Sequence, residues 1–551
     1  MGCADRPALI NGTVQTTGAS SAKTIKADDV DYLGISRSTI VSGMKRIHPR
    51  LAAGHPETAQ AAWHILDAGG TAADAAIAGA LAATVAEPLL CSLGGGAHGL
   101  IQAEGRAPVA LDAFTQTPRR RRLGEREFYP ILGNFGTEVQ EFHVGMASIA
   151  TPGVIAGLFA LHERFGRLPW PVLAEPAMRL ARQGVRLNAT QAFANRILEP
   201  ILRSTPECAA FFGLPRRDAE LPAEGSLRRC PAQANFIEAL ASEGPGLFYH
   251  GEPARRLAEA CSQRGGHLGL PDLAGYRARW RRPLRWRYRN ATLWSTPPPA
   301  FGGMMLSLAC QRLAHHLLPT TPVDSPEFLS ALCQAMDESE ALRNQLEQPD
   351  LLASERALRA AFQGLGLAGP LSQRGTSHIS IDDGRGMAVA LTLSNGEGSG
   401  YVLPDTGILL NNMLGEEDIN RGGFHRWPTN RRLVSMMAPT FVQQGRQRWI
   451  LGSGGSNRIR TALVQVISRL VDFQQPLKRA VEAPRAHREN GLLSIEMPAG
   501  EWPAASRDWL FQHHHDARCW PERNMYFGGV QAVGPSDAAA DPRRNGLAIS
   551  G

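Results

Sequence analysis

The sequence predicts an α+β protein built in layers, because helical and strand-like patterns occupy different parts of the chain. Residues 150 to 370 repeat mostly at helical spacing, as in TPGVIAGLFALHERFG, apart from a proline-rich break at 295 to 303. After residue 376 short alternating or apolar runs dominate, such as HISI, MAVALTL and RWILGSG. A helix-rich first part and a strand-rich second part favour a sandwich whose sheet needs both.

Composition and charge narrow the class of protein. The chain has 551 residues, of which 43% are hydrophobic and 20% charged, so it has ample material for buried layers. The first fifty residues lack an apolar signal segment and no stretch is long enough to span a bilayer, so we expect a cytoplasmic protein without a membrane partner. The net charge of +7 is concentrated in arginine runs at 118 to 122 and 277 to 289. No recognised nucleic-acid-binding module accompanies these runs, so no nucleic-acid partner is expected.

The N-terminal elements follow in order. Residues 1 to 45 are polar and are predicted to form a disordered arm. The segments PETAQAAWHILDAGG and TAADAAIAGALAATVAEP then predict two helices separated by a Gly-Gly stop. The next stretch, LGGGAHGLIQ, formally matches GxGxxG, but a strand pattern follows the glycines where a dinucleotide site needs a helix. We therefore expect a tight turn and no cofactor, and we interpret HHHD at 513 to 516 as a solvated patch, with no metal.

The segment TSHISIDDGRGMAVALTLS predicts a β-hairpin with one polar face. Centring its turn on Arg385 pairs Ile379 with Leu391, so that the apolar faces match. The same register places Thr376 opposite Ser394. These hydroxyls fit an ordinary half-buried hairpin. They also fit a nucleophilic site, because a cut just before Thr376 would leave a free amine beside its own hydroxyl.

A second segment, RWILGSGGSNRIRTALVQVISRL, predicts a strand, a glycine turn and a helix. The backbone N–H groups of Gly455 and Ser456 would lie at the positive end of that helix, where an oxyanion is stabilised. Together with an activated hydroxyl, these amides supply two of the parts that acyl transfer requires.

Ordered motifs from about residue 50 to the C-terminus resemble the γ-glutamyltranspeptidase (glutathione hydrolase) family of N-terminal-nucleophile hydrolases. The motifs that carry the resemblance are AAGHPETAQAAWHILDAGG, LGGGAHGLI, GMASIATPGVIAGLFALHERFGRLPW, TPPPAFGG, GTSHISI, GILLNN, GSGGSNRI and ADPRRNG. The resemblance implies a four-layer αββα sandwich built from both halves of a self-cleaved chain. It also implies that catalysis requires no metal.

The resemblance further implies that the chain cuts itself between Gly375 and Thr376. The products would be a helix-rich large subunit, whose ordered part spans 46 to 375, and a strand-rich small subunit spanning 376 to 551, which stay associated. The Thr376 hydroxyl would attack the Gly375 carbonyl, and hydrolysis of the resulting ester would free an α-amine. An unperturbed α-amine has a pKa of about 7.7 to 8.0, so it can act as the base for its own hydroxyl.

Other site residues are assigned by the same resemblance. Ser394 takes the place of a hydroxyl that supports the nucleophile, and Asn395 that of an asparagine that contacts the substrate. Gly455 and Ser456 match the amides of the oxyanion hole. Ser435 matches the first of two adjacent serines that hold the substrate α-carboxylate.

Three departures make the chain a divergent member. Phe114, in LDAFTQTP, stands where the family has its carboxylate-binding arginine, and Met436 replaces the second serine. The motif NNMLGEED replaces NNxMDD, so Glu416 is the stand-in for the aspartate that binds the substrate α-amine. The stretch between Glu416 and Ser435 is short, which predicts an abbreviated lid. Loss of a bidentate arginine contact removes a strong, oriented interaction with a carboxylate.

The sequence thus predicts a self-processing amidohydrolase or acyltransferase that cleaves γ-glutamyl amides such as glutathione through an acyl-enzyme on Thr376. Water or an amine would be the acceptor. Phe114 and Met436 favour an alternative in which the same nucleophile accepts a non-γ-glutamyl acyl group, in an acylase-like or biosynthetic reaction. A third alternative is an uncleaved, non-catalytic protein that uses the pocket only for binding.

Overall fold

The computed structural model describes residues 24–26, 48–134, 139–214, 216, 218–346, 376–417, 419–420 and 422–551. Most of the predicted arm at 1 to 45 and Gly375 at the expected cleavage point lie outside the described residues. The arm and the boundary between the two subunits therefore stay predictions.

Strands and helices occur throughout the described chain. The strands are β1 (Thr24–Lys26), β2 (Arg50–Ala53), β3 (Gly96–Gln102), β4 (Val109–Ala113), β5 (Tyr129–Asn134), β6 (Val139–Val144), β7 (Val185–Arg186), β8 (Leu227–Arg228), β9 (Arg279–Arg281), β10 (Leu284–Tyr288), β11 (Ala291–Ser295), β12 (Ser377–Asp382), β13 (Ala388–Ser394), β14 (Val402–Leu403), β15 (Ile408–Leu409), β16 (Thr440–Gln444), β17 (Gln447–Gly454), β18 (Ala486–Glu489), β19 (Leu492–Glu496), β20 (Arg518–Trp520), β21 (Gly529–Val533), β22 (Ala538–Ala540) and β23 (Leu547–Ser550). The helices are α1 (Pro56–Asp67), α2 (Ala72–Ala86), α3 (Val154–Phe165), α4 (Trp170–Gln183), α5 (Ala189–Ile197), α6 (Glu199–Leu202), α7 (Pro206–Phe211), α8 (Pro231–Glu243), α9 (Gly246–His250), α10 (Glu252–Gln263), α11 (Leu270–Ala274), α12 (Gly302–His316), α13 (Pro326–Leu346), α14 (Arg458–Val471), α15 (Leu477–Glu482) and α16 (Ala504–His513).

Strands from both parts of the chain are interleaved in an eight-stranded sheet of order β1-β23-β2-β12-β13-β3-β4-β9. The hairpin β12–β13 lies between β2 and β3, with Ile379 opposite Ala53 and Thr392 opposite His98. Removal of either part would leave unpaired strand edges inside the sheet. The prediction that the sheet needs both parts is confirmed.

A six-stranded sheet of order β10-β11-β16-β17-β21-β22 packs against the first one. Small and branched side chains from the two inner faces form one buried cluster. Its members include Ala52, Leu100, Ala390, Ile450, Val533 and Ala540. Many of these side chains are alanines, which let the two sheets approach closely.

Helices cover both outer faces, which completes four layers in the order αββα, as predicted. The helices α1 to α4 and α8 pack with the first sheet, and α12 to α14 with the second. Helix α2 is buried along its whole length and begins at a capping box formed by Thr71 and Asp74. A Cβ placed on Gly79 would lie 3.1 Å from Ile379 of the sheet and 3.2 Å from Ala62 of α1. Glycine at this position thus permits the close fit of α2.

The hairpin has the predicted register, with Ile379 opposite Leu391 and His378 opposite Thr392. Its turn uses Gly384 and Gly386, whose φ angles are +69° and +103°. Glycine adopts such angles without the steric cost that a side chain would add. The predicted apolar face, which includes Ile379, packs on α2.

One region differs from its prediction. The stretch from 150 to 370, predicted to be mostly helical, also contains the strands β7 to β11, of which β10 and β11 belong to the six-stranded sheet. Trp286 and Tyr288 of β10 are buried while Arg285 and Arg287 are exposed, which is the alternation of a strand. None of the helices within the described ranges combines the length and hydropathy of a membrane-spanning segment.

Candidate active site

A pocket collects side chains from the hairpin, the turn before α14 and the loops around residues 413 to 419 and 434 to 437. It is lined by Phe114, Phe301, Thr376, Ser394, Met413, Glu416, Ile419, Val434, Ser435, Met436, Met437, Ser456 and Ile459. Seven of these were predicted as site residues from the sequence: Phe114, Thr376, Ser394, Glu416, Ser435, Met436 and Ser456. Two others, Gly455 and Asn395, adjoin the pocket in the chain without lining it.

Thr376 immediately precedes β12 and is 4% exposed. Its carbonyl packs against the end of β17, where a Cβ on Gly454 would lie 2.2 Å from the Thr376 oxygen. Ser394 ends β13, the position that the predicted register sets opposite Thr376. Its Oγ accepts a hydrogen bond from the backbone N–H of Gly396 at 3.2 Å. The fold thus holds a threonine hydroxyl and a serine hydroxyl at one wall of the pocket.

The turn between β17 and α14 forms a neighbouring wall. Gly455 and Ser456 have φ angles of +112° and +47°, and α14 starts at Arg458. The Asn457 side chain donates to Glu489 at 2.9 Å. His487 is bonded to the other carboxylate oxygen of Glu489 at 3.0 Å. This buried network holds the turn that lies at the positive end of α14.

Among the described residues that line the pocket, Glu416 is the one with a charged side chain. It follows a short 3-10 helix, Met413–Gly415, and is 2% exposed. Its carboxylate lies against the turn after Ser394, because a Cβ on Gly396 would be 2.1 Å from Glu416 Oε1. The pocket is therefore acidic at one point and mostly apolar elsewhere.

Phe114 lines the pocket and is stacked on His98, with ring centroids 5.4 Å apart. Arg432 donates to the backbone carbonyls of Phe114 and Arg277 and is not among the residues that line the pocket. Arg432 instead forms an ion pair with Asp112 at 3.2 Å, and Arg281 binds the same carboxylate at 2.7 Å. Although burial alone would raise the pKa of Asp112, these arginines hold it below its usual value. Arg432 thus does not replace the missing carboxylate-binding arginine.

Ser435 and Met436 form the wall next to α12. The Ser435 carbonyl accepts from the backbone N–H groups of Phe301 and Gly302 at 2.8 and 2.9 Å. Its Oγ accepts from the Met437 N–H at 3.1 Å. The backbone approaches so closely here that a Cβ on Gly302 would lie 2.3 Å from the Met436 oxygen. This serine therefore anchors the start of α12 as well as lining the pocket.

Asn395 is placed behind the pocket. It is fully buried, its backbone N–H donates to Leu90 O at 3.3 Å, and its side-chain amide reaches Leu410 O at 3.5 Å. This geometry is that of a turn residue. Its predicted contact with substrate stays a prediction.

The loop that follows Glu416 is held by residues in and next to the first arginine run. Arg121 donates to Trp427 O at 3.0 Å, and Thr117 Oγ1 donates to Pro428 O at 2.6 Å. His267 and His425 are bonded to each other at 3.1 Å between ring nitrogens. Part of the arginine run thus ties down the loop that the sequence predicted as an abbreviated lid.

Neither the apolar residues of the pocket nor the acidic residue beside Thr376's strand was predicted from the sequence. The apolar lining residues Phe301, Met413, Ile419, Val434, Met437 and Ile459 were not predicted as site residues. Ile459 was assigned to the core stripe of α14, and Phe301 lies in the motif TPPPAFGG, which was the available signal. Glu87, just after α2, was also missed, although an acidic residue that ends an apolar helix is a signal.

Glu87 accepts a hydrogen bond from Ser377 Oγ at 3.0 Å and from Thr58 Oγ1 at 3.3 Å. Burial raises the pKa of this carboxyl to about 7, against the opposing effects of Ser377 and of the Arg544 charge. A titratable carboxyl group is therefore bonded to Ser377, the residue that follows Thr376.

Comparisons with known proteins agree with this geometry. The profile of the family described as Gamma-glutamyltranspeptidase matches residues 58–551. The chain is 29% identical to a glutathione hydrolase proenzyme of Pseudomonas aeruginosa over 464 residues, 78% of this chain and 81% of the relative. It is 30% identical to the acylase ACY 1 proenzyme of a Pseudomonas species over 472 residues, 80% of this chain and 83% of the relative.

The fold is also shared with a solved structure. Cephalosporin acylase from Bacillus halodurans superposes with a TM-score of 0.72 and 24% identity, covering 95% of this chain and 99% of that one. The likeness shows that the two proteins share a fold. Because the family profile matches residues 58–551, which is most of the sequence, this chain belongs to the γ-glutamyltranspeptidase family.

Proposed function

We propose that the protein is a self-processing amidohydrolase whose nucleophile is Thr376. The observation that carries the proposal is that Thr376, at the start of β12, lines one pocket with Ser456 of the turn before α14. This arrangement offers a hydroxyl and oxyanion-binding amides in the same place. Membership of the family supports hydrolysis of γ-glutamyl or other acyl amides.

The chemistry starts with a cut between Gly375 and Thr376. The Thr376 Oγ attacks the Gly375 carbonyl carbon, the C–N bond breaks, and water hydrolyses the resulting ester to leave a free amine on Thr376. In turnover this amine takes the Oγ proton while Oγ attacks the substrate amide carbon. The oxyanion is stabilised by the amides of Gly455 and Ser456, and the proton passes to the leaving amine. Water, or an amine acceptor, then releases the acyl group.

The pocket favours an acyl group other than γ-glutamyl. Glu416 can bind a cationic amine, but a carboxylate would meet no cation among the described lining residues. Phe114, Met436 and their apolar neighbours would remove water from that carboxylate without pairing it, which is costly. We therefore propose an apolar or amine-bearing acyl amide as the substrate class. Relatives named glutathione hydrolase make γ-glutamyl amides the second candidate.

A matched set of four p-nitroanilides tests this substrate class. The γ-glutamyl compound has both an α-amine and an α-carboxylate, the 4-aminobutanoyl compound has only the amine, the glutaryl compound has only the carboxylate, and the butanoyl compound has neither. We expect kcat/KM to be highest for 4-aminobutanoyl and lowest for glutaryl, after subtraction of spontaneous release. A clear preference for γ-glutamyl over 4-aminobutanoyl would contradict the proposed class and favour the second candidate.

Two variants test the nucleophile itself. Thr376→Ala removes the hydroxyl that both cleavage and turnover use, so neither should occur. Thr376→Ser keeps a hydroxyl and an amine at the same position and should retain both. Release of p-nitroaniline by Thr376→Ala at the rate of the unchanged protein would show that the nucleophile is another residue.

A further inference from the structure

A second cavity lies behind the strand that follows Thr376. It is enclosed by the end of α2, by α5 and by β8, and it shares no lining residue with the candidate active site within the described part of the chain. Glu87 lines this cavity and accepts the hydrogen bond from Ser377. The cavity therefore adjoins a residue that contacts the strand beginning next to Thr376.

Arg228 lines this cavity, and its guanidinium group has an unused hydrogen-bond donor. Its Nη2 donates to the Val85 carbonyl, and its guanidinium lies over the Phe211 ring at 5.1 Å. Its Nη1 is buried and has no hydrogen-bond partner within the described ranges. No described carboxylate forms an ion pair with it. Burial lowers the pKa of Arg228 to about 10, so it remains a cation at neutral pH.

Buried charges in proteins are normally paired, because removal of an ion from water is costly unless a counter-charge replaces the solvent. Arg228 is half-buried as a residue, but its Nη1 is buried and unpartnered, so an anion in the cavity would complete its contacts. A guanidinium presents a planar set of donors that fits a carboxylate on two oxygens.

The other walls define the rest of the ligand. Asn195 of α5 is 4% exposed and lines the cavity, where its side-chain amide can serve as a hydrogen-bond donor. Leu187, Phe212 and Met525 give an apolar surface. A pocket of this kind binds a mostly apolar ligand that is oriented by a few polar contacts.

We propose that this cavity binds a small organic monocarboxylate, with its carboxylate on Arg228 and Asn195 and its apolar body on Leu187, Phe212 and Met525. A second negative group would approach Glu87 and is disfavoured. The ligand would lie against the residue that holds Ser377, so its binding is placed to affect the neighbourhood of Thr376. The proposal does not depend on the substrate of the candidate active site.

Hexanoate is the probe, and hexanamide is its uncharged match. We expect isothermal titration to show hexanoate binding to the unchanged protein and no comparable binding of hexanamide. Arg228→Met should weaken hexanoate binding at least tenfold, while Arg229→Met, which changes the exposed neighbouring arginine, should not. Met436→Trp, which fills the candidate active-site pocket, should leave hexanoate binding unchanged and so separate the two sites.

Thermal unfolding supplies an independent measurement. Hexanoate should raise the Tm of the unchanged protein and of Arg229→Met but not that of Arg228→Met. Asn195→Leu, which keeps the cation and removes the amide donor, should show a reduced shift, and it serves also if Arg228→Met fails to fold. Equal binding of hexanamide, an undiminished shift in the Arg228 or Asn195 variant, or loss of binding in Met436→Trp would overturn the proposal.

Discussion

The Ser377 hydroxyl donates a hydrogen bond to Glu87 across 3.0 Å, which joins the residue after the candidate nucleophile to the end of α2. The two residues are 290 positions apart in the chain. Glu87 is buried and its pKa is raised to about 7, chiefly because burial disfavours the charged carboxylate. The hydrogen bond thus joins β12, which begins next to Thr376, to Glu87, whose pKa is near neutral.

Glu87→Gln should change how stability depends on pH. The unfolded chain loses the Glu87 proton near pH 4.5, whereas the folded protein keeps it until about pH 7. The stability that the protonated carboxyl contributes is therefore complete below pH 4.5 and is lost as pH rises through 7. Glutamine does not titrate, so the variant should gain on the order of 3 kcal/mol relative to the unchanged protein between these pH values, at about 1.4 kcal/mol per pKa unit.

Urea unfolding at pH 4.5, 6 and 7.5 measures this difference. Glu243→Gln, which changes an exposed glutamate, is the control and should show a nearly constant difference. A constant difference for Glu87→Gln as well would show that Glu87 does not titrate in this range.

Phe114→Arg should shift the acyl preference toward γ-glutamyl. The substitution puts a cation in the pocket wall, where it can bind the substrate α-carboxylate. We expect the ratio of kcat/KM for the γ-glutamyl anilide to that for the 4-aminobutanoyl anilide to rise about tenfold or more, which corresponds to about 1.4 kcal/mol. Phe114→Leu adds no charge and should leave the ratio near its original value. An unchanged ratio in the arginine variant would mean that the α-carboxylate does not reach position 114.

Gly454→Ala should stop processing and turnover without unfolding the protein. The added methyl group would lie 2.2 Å from the Thr376 carbonyl oxygen, so the nucleophile must move. Gly246→Ala is the control, because a Cβ there meets no atom within 4 Å. Denaturing electrophoresis and the rate of anilide release report the two activities, and circular dichroism reports folding. A fully active Gly454→Ala variant would place the reacting threonine elsewhere.

Arg432→Met should loosen the loop after Glu416. The side chain of Arg432 is buried between Asp112 and the Phe114 carbonyl, and loss of one partner from such a site costs about 3 kcal/mol. We expect a lower free energy of unfolding and faster proteolysis of the segment from 417 to 434. Arg431→Met changes the exposed neighbour and should alter neither. Equal effects of the two substitutions would contradict a specific role for the buried pair.

The elements that the sequence predicted well are those with a local period. The hairpin register followed from the alternation around Ile379 and Leu391, and α14 from its apolar stripe. The four layers and most of the pocket followed from ordered family motifs, because such motifs carry tertiary information that periodicity lacks. The strands β10 and β11 were hidden in a helical region, since short alternating runs are weak signals beside long helices.

The contacts that could not be predicted join residues far apart in the chain. Neither the bond between Glu87 and Ser377 nor the ion pair of Arg432 with Asp112 produces a periodic pattern in the sequence. The direction of the Asn395 amide, which reaches Leu410 O, could not be predicted either, and its substrate contact stays a prediction. Side-chain direction in a tight turn depends on packing that a motif does not describe.

The most direct test is the intact mass of the purified protein under denaturing conditions, with sequencing of each N-terminus. The account predicts two chains, one of which begins Thr-Ser-His-Ile at Thr376, and a single chain for Thr376→Ala. A single 551-residue chain that nevertheless hydrolyses the anilides would contradict it.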